Sequence, residues 1–393
     1  MKIGIDIRCL MNEKYSGVAW YTYNLIMALL KLDQANEYVL FYNSSKLVKL
    51  PAFDFTNIRP VGFRWPNKLF NLSLIFFGQP KLDRLIGGVD VFFTPNLHFV
   101  SWSNGCKKVA VVHDLSFLAN PIWFTLKQRL WHKLILRNKI LQEADIIIAD
   151  SENTKDDLVD LLGVPAEKIR VVYLGVFVPL PFRPEPRIMR GEVEKSFLMQ
   201  GIPPLASLAR DDKGVRVKHN LPDKYFLFVG TIEPRKNVLG IIKAWQKLNQ
   251  EVGLVLAGDW GWKVAEVERL VVQNKNIILL GYVPEEDKIT LYQSAIALVY
   301  PSFYEGFGLP ILEAMANGCP VICGNNSSQG EVLGDCGLLV NPDNLNEISH
   351  AMELMLTDEN LRQDFISRGK ERAKEFTWQK TASQVLEIFN QTK

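Results

Sequence analysis

Short apolar runs rich in β-branched residues recur along the chain, each followed by a longer stretch with apolar residues at helical spacing. In the first half the runs are Ile3–Ile7, Tyr38–Tyr42, Val89–Phe93, Val109–Val112, Ile146–Ala149 and Ile169–Tyr173. In the second half they are Phe226–Val229, Leu254–Ala257, Ile277–Leu280, Ala297–Tyr300, Val321–Cys323 and Leu338–Val340. Strands without polar alternation belong to a sheet covered on both faces, and their alternation with helices implies parallel βαβ units. Two such series in tandem predict an α/β protein with two doubly wound sheets. Between them, Pro179 to Asp223 breaks the pattern with Pro179, Pro181, Pro184, Pro186, Pro203 and Pro204, mixed charge and little period. That composition predicts a linker carrying an elaboration, and places the domain boundary inside it.

The length of 393 residues fits two hydrophobic cores better than one. Lys and Arg total 45 against 43 Asp and Glu, a balance that argues against a nucleic-acid binder. Five cysteines (Cys9, Cys106, Cys319, Cys323, Cys336) lack redox or zinc spacing and read as small hydrophobes in a reducing compartment. The chain enters its first strand pattern without a secretory leader, and no apolar run approaches the ~20 residues that span a bilayer. The expectation is a cytoplasmic protein. Two stretches, Phe63–Phe70 and the basic, Trp-bearing helix Leu126–Leu141, are candidates for peripheral contact with the inner face of the cytoplasmic membrane.

Candidate chemistry concentrates where strands end, since open parallel sheets bind ligands at the carboxyl ends of their strands. After Ala297–Tyr300 comes Pro301-Ser-Phe-Tyr-Glu-Gly-Phe-Gly-Leu-Pro310, then a helix Ile311–Ala316 stopped by Asn317-Gly318. Glu305 in the turn and Glu313 in the first helical turn are placed to face one pocket. The backbone N–H groups of Gly306, Phe307, Gly308 and Leu309 lie at the positive end of that helix, which suits an anion. After Phe226–Val229, the loop Gly230-Thr231-Ile-Glu-Pro-Arg235-Lys236-Asn237 releases two cations, the simplest stabiliser for a departing diphosphate. Read from residue types alone, each motif also fits an ordinary strand–turn–helix.

Within Glu305-Gly-Phe-Gly-Leu-Pro-Ile-Leu-Glu313-Ala-Met-Ala-Asn-Gly-Cys-Pro-Val-Ile322, the two glutamates resemble the E-x7-E signature of family-4 retaining glycosyltransferases. Val229-Gly-Thr-Ile-Glu-Pro-Arg-Lys-Asn237 resembles the same family's phosphate-binding loop, except that Thr231 stands where many members have arginine. The resemblance covers nearly the whole chain, from Asp6 to Phe376-Thr377-Trp378. It implies the GT-B fold: two Rossmann-like domains facing across a cleft, 1–178 binding acceptor and 224–375 binding the nucleotide sugar. Residues 179–223 then form the linker, and 376–393 a helix returning to the N-terminal domain.

The resemblance also implies roles. Glu305 contacts the donor sugar, Glu313 the nucleotide ribose, and Lys236 and Arg235 the leaving phosphate, with Gly230 and Thr231 beside them. Gly281-Tyr282-Val283-Pro284 borders the base, and Gly258-Asp259-Trp260-Gly261-Trp262 is a candidate wall that equally fits an ordinary turn. In the first half His113, after Val109–Val112, contacts the transferring sugar, with Asp114 a candidate to orient its ring or to accept a backbone hydrogen bond instead. Gly17 opens the loop that approaches the β-phosphate and acceptor, and Ser151 matches a family serine while also fitting a helix N-cap. The implied activity is retaining hexosyl transfer in surface polysaccharide synthesis, GDP-mannose the first donor guess, onto a glycan or lipid-linked acceptor. No cofactor is expected, and without an Asp-x-Asp triplet no metal. Alternatives are a nucleotide-sugar epimerase and a catalytically inactive nucleotide-sugar-binding protein.

Overall fold

A computed structural model describes residues 1–11, 15–137, 140–176, 212–248 and 251–391. The chain divides into two compact units, Met1–Gly175 with Phe376–Lys393, and Val176–Glu375.

The first unit is built on seven parallel strands in the order β3-β2-β1-β4-β5-β6-β7. They are β1 (Lys2–Asp6), β2 (Glu37–Asn43), β3 (Ile58–Phe63), β4 (Val91–Thr94), β5 (Lys107–Val112), β6 (Ile146–Ala149) and β7 (Ile169–Val171). Six were foreseen. β3 was not, because Pro60 and Gly62 interrupt its apolar run; it lies at the sheet edge, where a missing N–H is tolerated. The principal helices are α1 (Gly17–Leu32), α2 (Asn67–Phe77), α3 (Leu126–Arg137) and α4 (Glu152–Leu162). Of the predicted helix 126–141, Leu126–Arg137 and Ile140–Glu143 are helical, and residues 138–139 lie outside the described residues.

The second unit has six parallel strands in the order β10-β9-β8-β11-β12-β13. They are β8 (Tyr225–Val229), β9 (Gly253–Ala257), β10 (Ile277–Gly281), β11 (Ala297–Tyr300), β12 (Val321–Gly324) and β13 (Leu338–Val340), all anticipated from their unbroken apolar runs. Its helices are α5 (Asp212–Lys218), α6 (Val238–Trp245), α7 (Ala265–Gln273), α8 (Glu285–Ser294), α9 (Leu309–Ala316), α10 (Leu345–Thr357) and α11 (Glu359–Ala373). Residues 212–223, read from the sequence as linker, belong here: Lys218 and His219 both reach the buried Asp287 of α8, at 2.6 and 2.8 Å. Residues 177–211 of that segment lie outside the described residues.

The closing helix α12 (Trp378–Asn390) belongs to the first unit. Its apolar face is set by Trp378, Val385, Ile388 and Phe389. Phe389 meets Phe93 of β4 edge-on at 5.4 Å, Trp378 lies 6.0 Å from Tyr21 of α1, and Thr381 donates to the Tyr173 carbonyl at 2.8 Å. Among the described residues no helix is long and apolar enough to cross a membrane. All five cysteines are free thiols, four of them buried, and burial pushes the Cys106 and Cys319 thiols up to about 12, which leaves them unreactive.

In each sheet the strand order reverses beside the first strand, between β1 and β4 and between β8 and β11. Loops leaving neighbouring strands in opposite directions open a crevice there.

Candidate active site

In the second unit the loops after β8 and β11 meet at that reversal. After β8 the chain turns at Gly230 (φ 142°), and Pro234–Lys236 forms one 3-10 turn that closes on Asn237 in the left-handed region. Asn237 fixes this turn by donating to the Pro301 and Pro342 carbonyls at 3.1 and 2.8 Å. After β11, Ser327 accepts the Glu305 N–H at 2.9 Å, and the buried Ser328 hydroxyl lies 2.8 and 2.9 Å from the Glu305 and Phe307 carbonyls. Both loops are thereby tied to neighbouring backbone by hydrogen bonds within the unit.

These loops bring together three of the predicted catalytic side chains. Lys236 Nζ lies 2.8 Å from Glu305 Oε1, and Arg235 Nη1 lies 3.1 Å from Glu305 Oε2. Arg235 is further tied to Glu233 at 2.8 Å and donates to the Tyr304 carbonyl at 2.7 Å. Lys236 also donates to the Tyr300 hydroxyl and sits 4.7 Å from the centre of its ring. Two cations against two carboxylates make the cluster electrically neutral. Burial alone would raise the Glu305 pKa, but Arg235 and Lys236 outweigh it and hold the carboxyl at about 2. Burial pulls the Lys236 pKa down, and the Glu305 charge restores only part of it. Glu305 Oε1 meets Lys236 at 2.8 Å, and a carboxylate oxygen has a second lone pair with which to accept from a sugar hydroxyl.

Helix α9 begins at Leu309, two residues before the predicted start, with Pro310 in its first turn. Gly308 caps it at φ 102°, a conformation closed to residues with a side chain at little cost, and Gly306 and Phe307 complete the buried turn. The opening amides of Gly308 and Leu309 have no preceding turn to bond to, which is the geometry that attracts an anion.

Glu313 lies apart from Glu305's cations. It is held by Lys288 at 3.3 Å and by the Tyr292 hydroxyl, which donates at 2.7 Å. Lys288 also pairs with Glu285 at 2.7 Å. Burial would lower the Lys288 pKa, yet Glu313 and Glu285 together raise it; burial and the Glu313 charge raise that of Glu285. Glu285, Lys288 and Tyr292 escaped the sequence reading. Their spacing along α8 places them on one helix face, but only the fold shows that this face meets Glu313.

The other sequence candidates take bland or partial roles. Thr231 is exposed, and Arg235 engages Glu233, Tyr304 and Glu305. Gly258 allows the loop after β9 to press on that after β8: a Cβ there would fall 2.0 Å from the Gly230 carbonyl. Asp259 accepts the Tyr282 N–H at 3.1 Å, so this loop and Gly281–Pro284 brace one another.

In the first unit, Gly17 opens α1, and a Cβ on it would meet nothing within 4 Å. Packing therefore does not explain this glycine. His113 ends β5, but its ring is not oriented by Asp114, which instead accepts the Ser116 N–H and hydroxyl at 3.1 and 2.7 Å. The partner is Asp150, at the end of the neighbouring β6, 2.6 Å from His113 Nδ1. Sheet order, not sequence spacing, joins these residues 37 apart. Ser151 is the α4 N-cap, its side chain accepting from the Thr154 N–H.

The two aromatic–basic stretches expose more apolar surface than a core-facing helix needs. On α2, Phe76 and Phe77 are 72% and 78% exposed, and Leu69 and Trp65 stand out beside Arg64 and Lys68. On α3 and just before it, Leu126, Leu130, Trp131 and Ile122 are exposed among Lys127 and Lys133. Arg8 links the two, stacking on Phe70 beneath α2 and donating to the Phe99 carbonyl, whose ring meets Trp131.

Residues 210–372 match the family described as glycosyl transferases group 1, and residues 15–178 match glycosyltransferase family 4. The O-antigen chain mannosyltransferase B of Escherichia coli is 33% identical over 294 residues, covering 72% of this chain and 70% of that protein. The serotype-specific mannosyltransferase WbdA of Escherichia coli is 27% identical over 299 residues, 72% of this chain but only 33% of its own greater length. In fold the chain is similar to sucrose-phosphate synthase from Thermosynechococcus elongatus, with a TM-score of 0.73 at 20% identity over 99% of this chain and 98% of that one. With both sheets doubly wound and both halves matched, the chain belongs to the group 1, family-4 glycosyltransferases of the GT-B fold.

Proposed function

We propose that the enzyme transfers a hexose, mannose in the first instance, from a nucleoside-diphosphate sugar to a growing surface glycan carried on a lipid, with retention of anomeric configuration. The observation that carries this is the buried Arg235–Lys236–Glu305 cluster at the strand reversal, beside the opening amides of α9. A cation pair and a helix start suit a diphosphate leaving group, and a carboxylate beside them suits the hydroxyls of the sugar it leaves. The acceptor hydroxyl attacks the anomeric carbon from the face that the diphosphate vacates. The C–O bond to the diphosphate breaks as that to the acceptor forms, and the acceptor proton passes to a β-phosphate oxygen. Arg235 and Lys236 supply positive charge of the kind a bridging cation would otherwise bring, so turnover is proposed to proceed without a divalent metal. Mannose is favoured by the names of the Escherichia coli relatives, both mannosyltransferases, and a guanosine carrier is proposed with it.

The test is a thermal-shift panel of GDP, UDP and ADP sugars on the wild-type enzyme, followed by transfer assays with and without chelator. GDP-mannose is expected to raise the melting temperature most, as a ligand at ~100 times its Kd adds about 2.7 kcal/mol. Indifference to every sugar nucleotide would sink the reading.

Reaction at the inner face of the cytoplasmic membrane is supported by the exposed aromatic and cationic surface of α2 and α3. Vesicles containing anionic lipid are expected to sediment the enzyme, and Phe76→Ser/Phe77→Ser with Trp131→Ser to cut the bound fraction at least ~fivefold. Equal sedimentation of wild type and variant would remove this surface from the account.

A further inference from the structure

With Asp150 ionised, as the positive charge of His113 favours against the upward pull of burial, the ring of His113 is held between two groups that can only accept. Its Nδ1 lies 2.6 Å from Asp150 Oδ2, and its Nε2 lies 2.8 Å from the Pro95 carbonyl oxygen. The sheet places them there: β4, β5 and β6 are parallel neighbours, with Thr94 opposite Ala110 and Val112 opposite Ala149. The residues that follow, Pro95, His113 and Asp150, therefore emerge side by side at one edge. A neutral imidazole carries a single N–H, so one of these two contacts would set lone pair against lone pair. With both nitrogens protonated, both contacts are hydrogen bonds.

We propose that Asp150 is a positioning residue that keeps His113 as an imidazolium during transfer; this rests on the hexosyltransferase reading given above. The surrounding charges agree. Besides Asp150 from the end of β6, Asp114 on His113's own strand end adds a second negative charge. Tyr21 of α1 sets its ring edge-on at 4.8 Å and stays neutral, since burial and then the Asp150 charge hold its phenol protonated. Burial, the largest single influence, would lower the His113 pKa, but the Asp150 charge and hydrogen bond, the Pro95 carbonyl and the Asp114 charge together leave it raised. His98 in the same unit shows the opposite arrangement. Its Nδ1 accepts the Phe99 N–H at 2.8 Å, and burial with the nearby Arg8 pushes its pKa down to about 4.

Exposure separates the two roles. The His113 side chain is 20% exposed and the Asp150 side chain 3%, so a substrate meets the imidazole and not the carboxylate. An imidazolium has no lone pair with which to take a proton. With both N–H groups engaged by Asp150 and Pro95, His113 therefore serves as a fixed positive charge beside the transferring sugar, not as a base.

The experiment uses the full-length enzyme with 15N-labelled histidine and the variants Asp150→Asn and Asp150→Glu. In the wild type both His113 nitrogens are expected to give protonated signals at about pH 7.5, roughly a unit above the ordinary histidine midpoint. Asp150→Asn is expected to give a neutral ring. Its kcat should fall at least ~tenfold with donor KM within ~twofold, the signature of a group that acts beyond ground-state binding. Because the active form is the protonated one, activity is lost as pH rises through the His113 pKa. The alkaline limb of the pH–rate profile should therefore move to lower pH in Asp150→Asn and return toward wild type in Asp150→Glu. A singly protonated His113 in the wild type overturns the proposal, as does an unmoved alkaline limb in an Asp150→Asn protein that melts normally. Should both variants misfold, the wild-type nitrogen titration decides alone. That titration needs no substrate, so its failure leaves the transferase reading standing, whereas absence of transfer from every donor would sink that reading and leave the protonation state untouched.

Discussion

Replacing Lys236 by alanine is expected to lower kcat by about 10²–10³, the usual cost of removing one preorganised group that stabilises developing charge. Lys236 is the cation with the fewest competing carboxylates: Arg235 is shared between Glu233 and Glu305, while Lys236 pairs with Glu305 and leans on Tyr300. Lys236→Arg should not restore the rate, because a planar fork does not fit where a compact ammonium meets both the Tyr300 hydroxyl and its ring. The variant should also be more acid-sensitive. The Glu305 pKa is depressed to about 2, so its contribution to stability is complete above the unfolded value near 4.3 and is lost as pH falls toward the folded one. Without Lys236 the folded pKa rises and that window narrows from below, so acid unfolding should begin at higher pH. A Glu305→Gln background, whose side chain does not titrate, should abolish this difference in acid unfolding. Wild-type kcat in a folded Lys236→Ala protein would remove this residue from the mechanism.

Glu313→Ala is expected to act on donor affinity instead, raising the donor Kd by about 10–100-fold, as loss of hydrogen bonds to a charged group does. The carboxylate is pre-set by Tyr292 and Lys288, so its loss removes a fixed acceptor and leaves Lys288 to Glu285 alone. Turnover at saturating donor should stay within ~fivefold of wild type, in contrast to Lys236→Ala. Tyr292→Phe, which loosens the same carboxylate without removing it, should fall between. Calorimetric titration with the preferred nucleoside diphosphate and its sugar separates the cases. A Glu313→Ala enzyme that binds donor as tightly as wild type would show that the carboxylate serves only to hold Lys288.

Much of this was legible in the chain. Twelve strands announced themselves because a strand buried on both faces must be apolar at every position, and tandem βαβ series follow from that alone. The thirteenth, β3, was hidden because an edge strand admits Pro60 and Gly62. Glu305, Glu313, Arg235 and Lys236 stood out because they follow strand ends, where the backbone geometry of an open sheet already directs side chains toward a ligand. Asp150, Lys288 and Tyr292 did not. Each lies in sequence among residues with ordinary explanations, and each finds its partner only through a neighbour supplied by another strand or helix. The sequence by itself determined the element types, the two sheets and the family, because periodicity and strand-end motifs are local. Only the tertiary structure decided which charges pair, because strand order brings His113 beside Asp150 rather than Asp114, and parts Glu313 from the cations that hold Glu305.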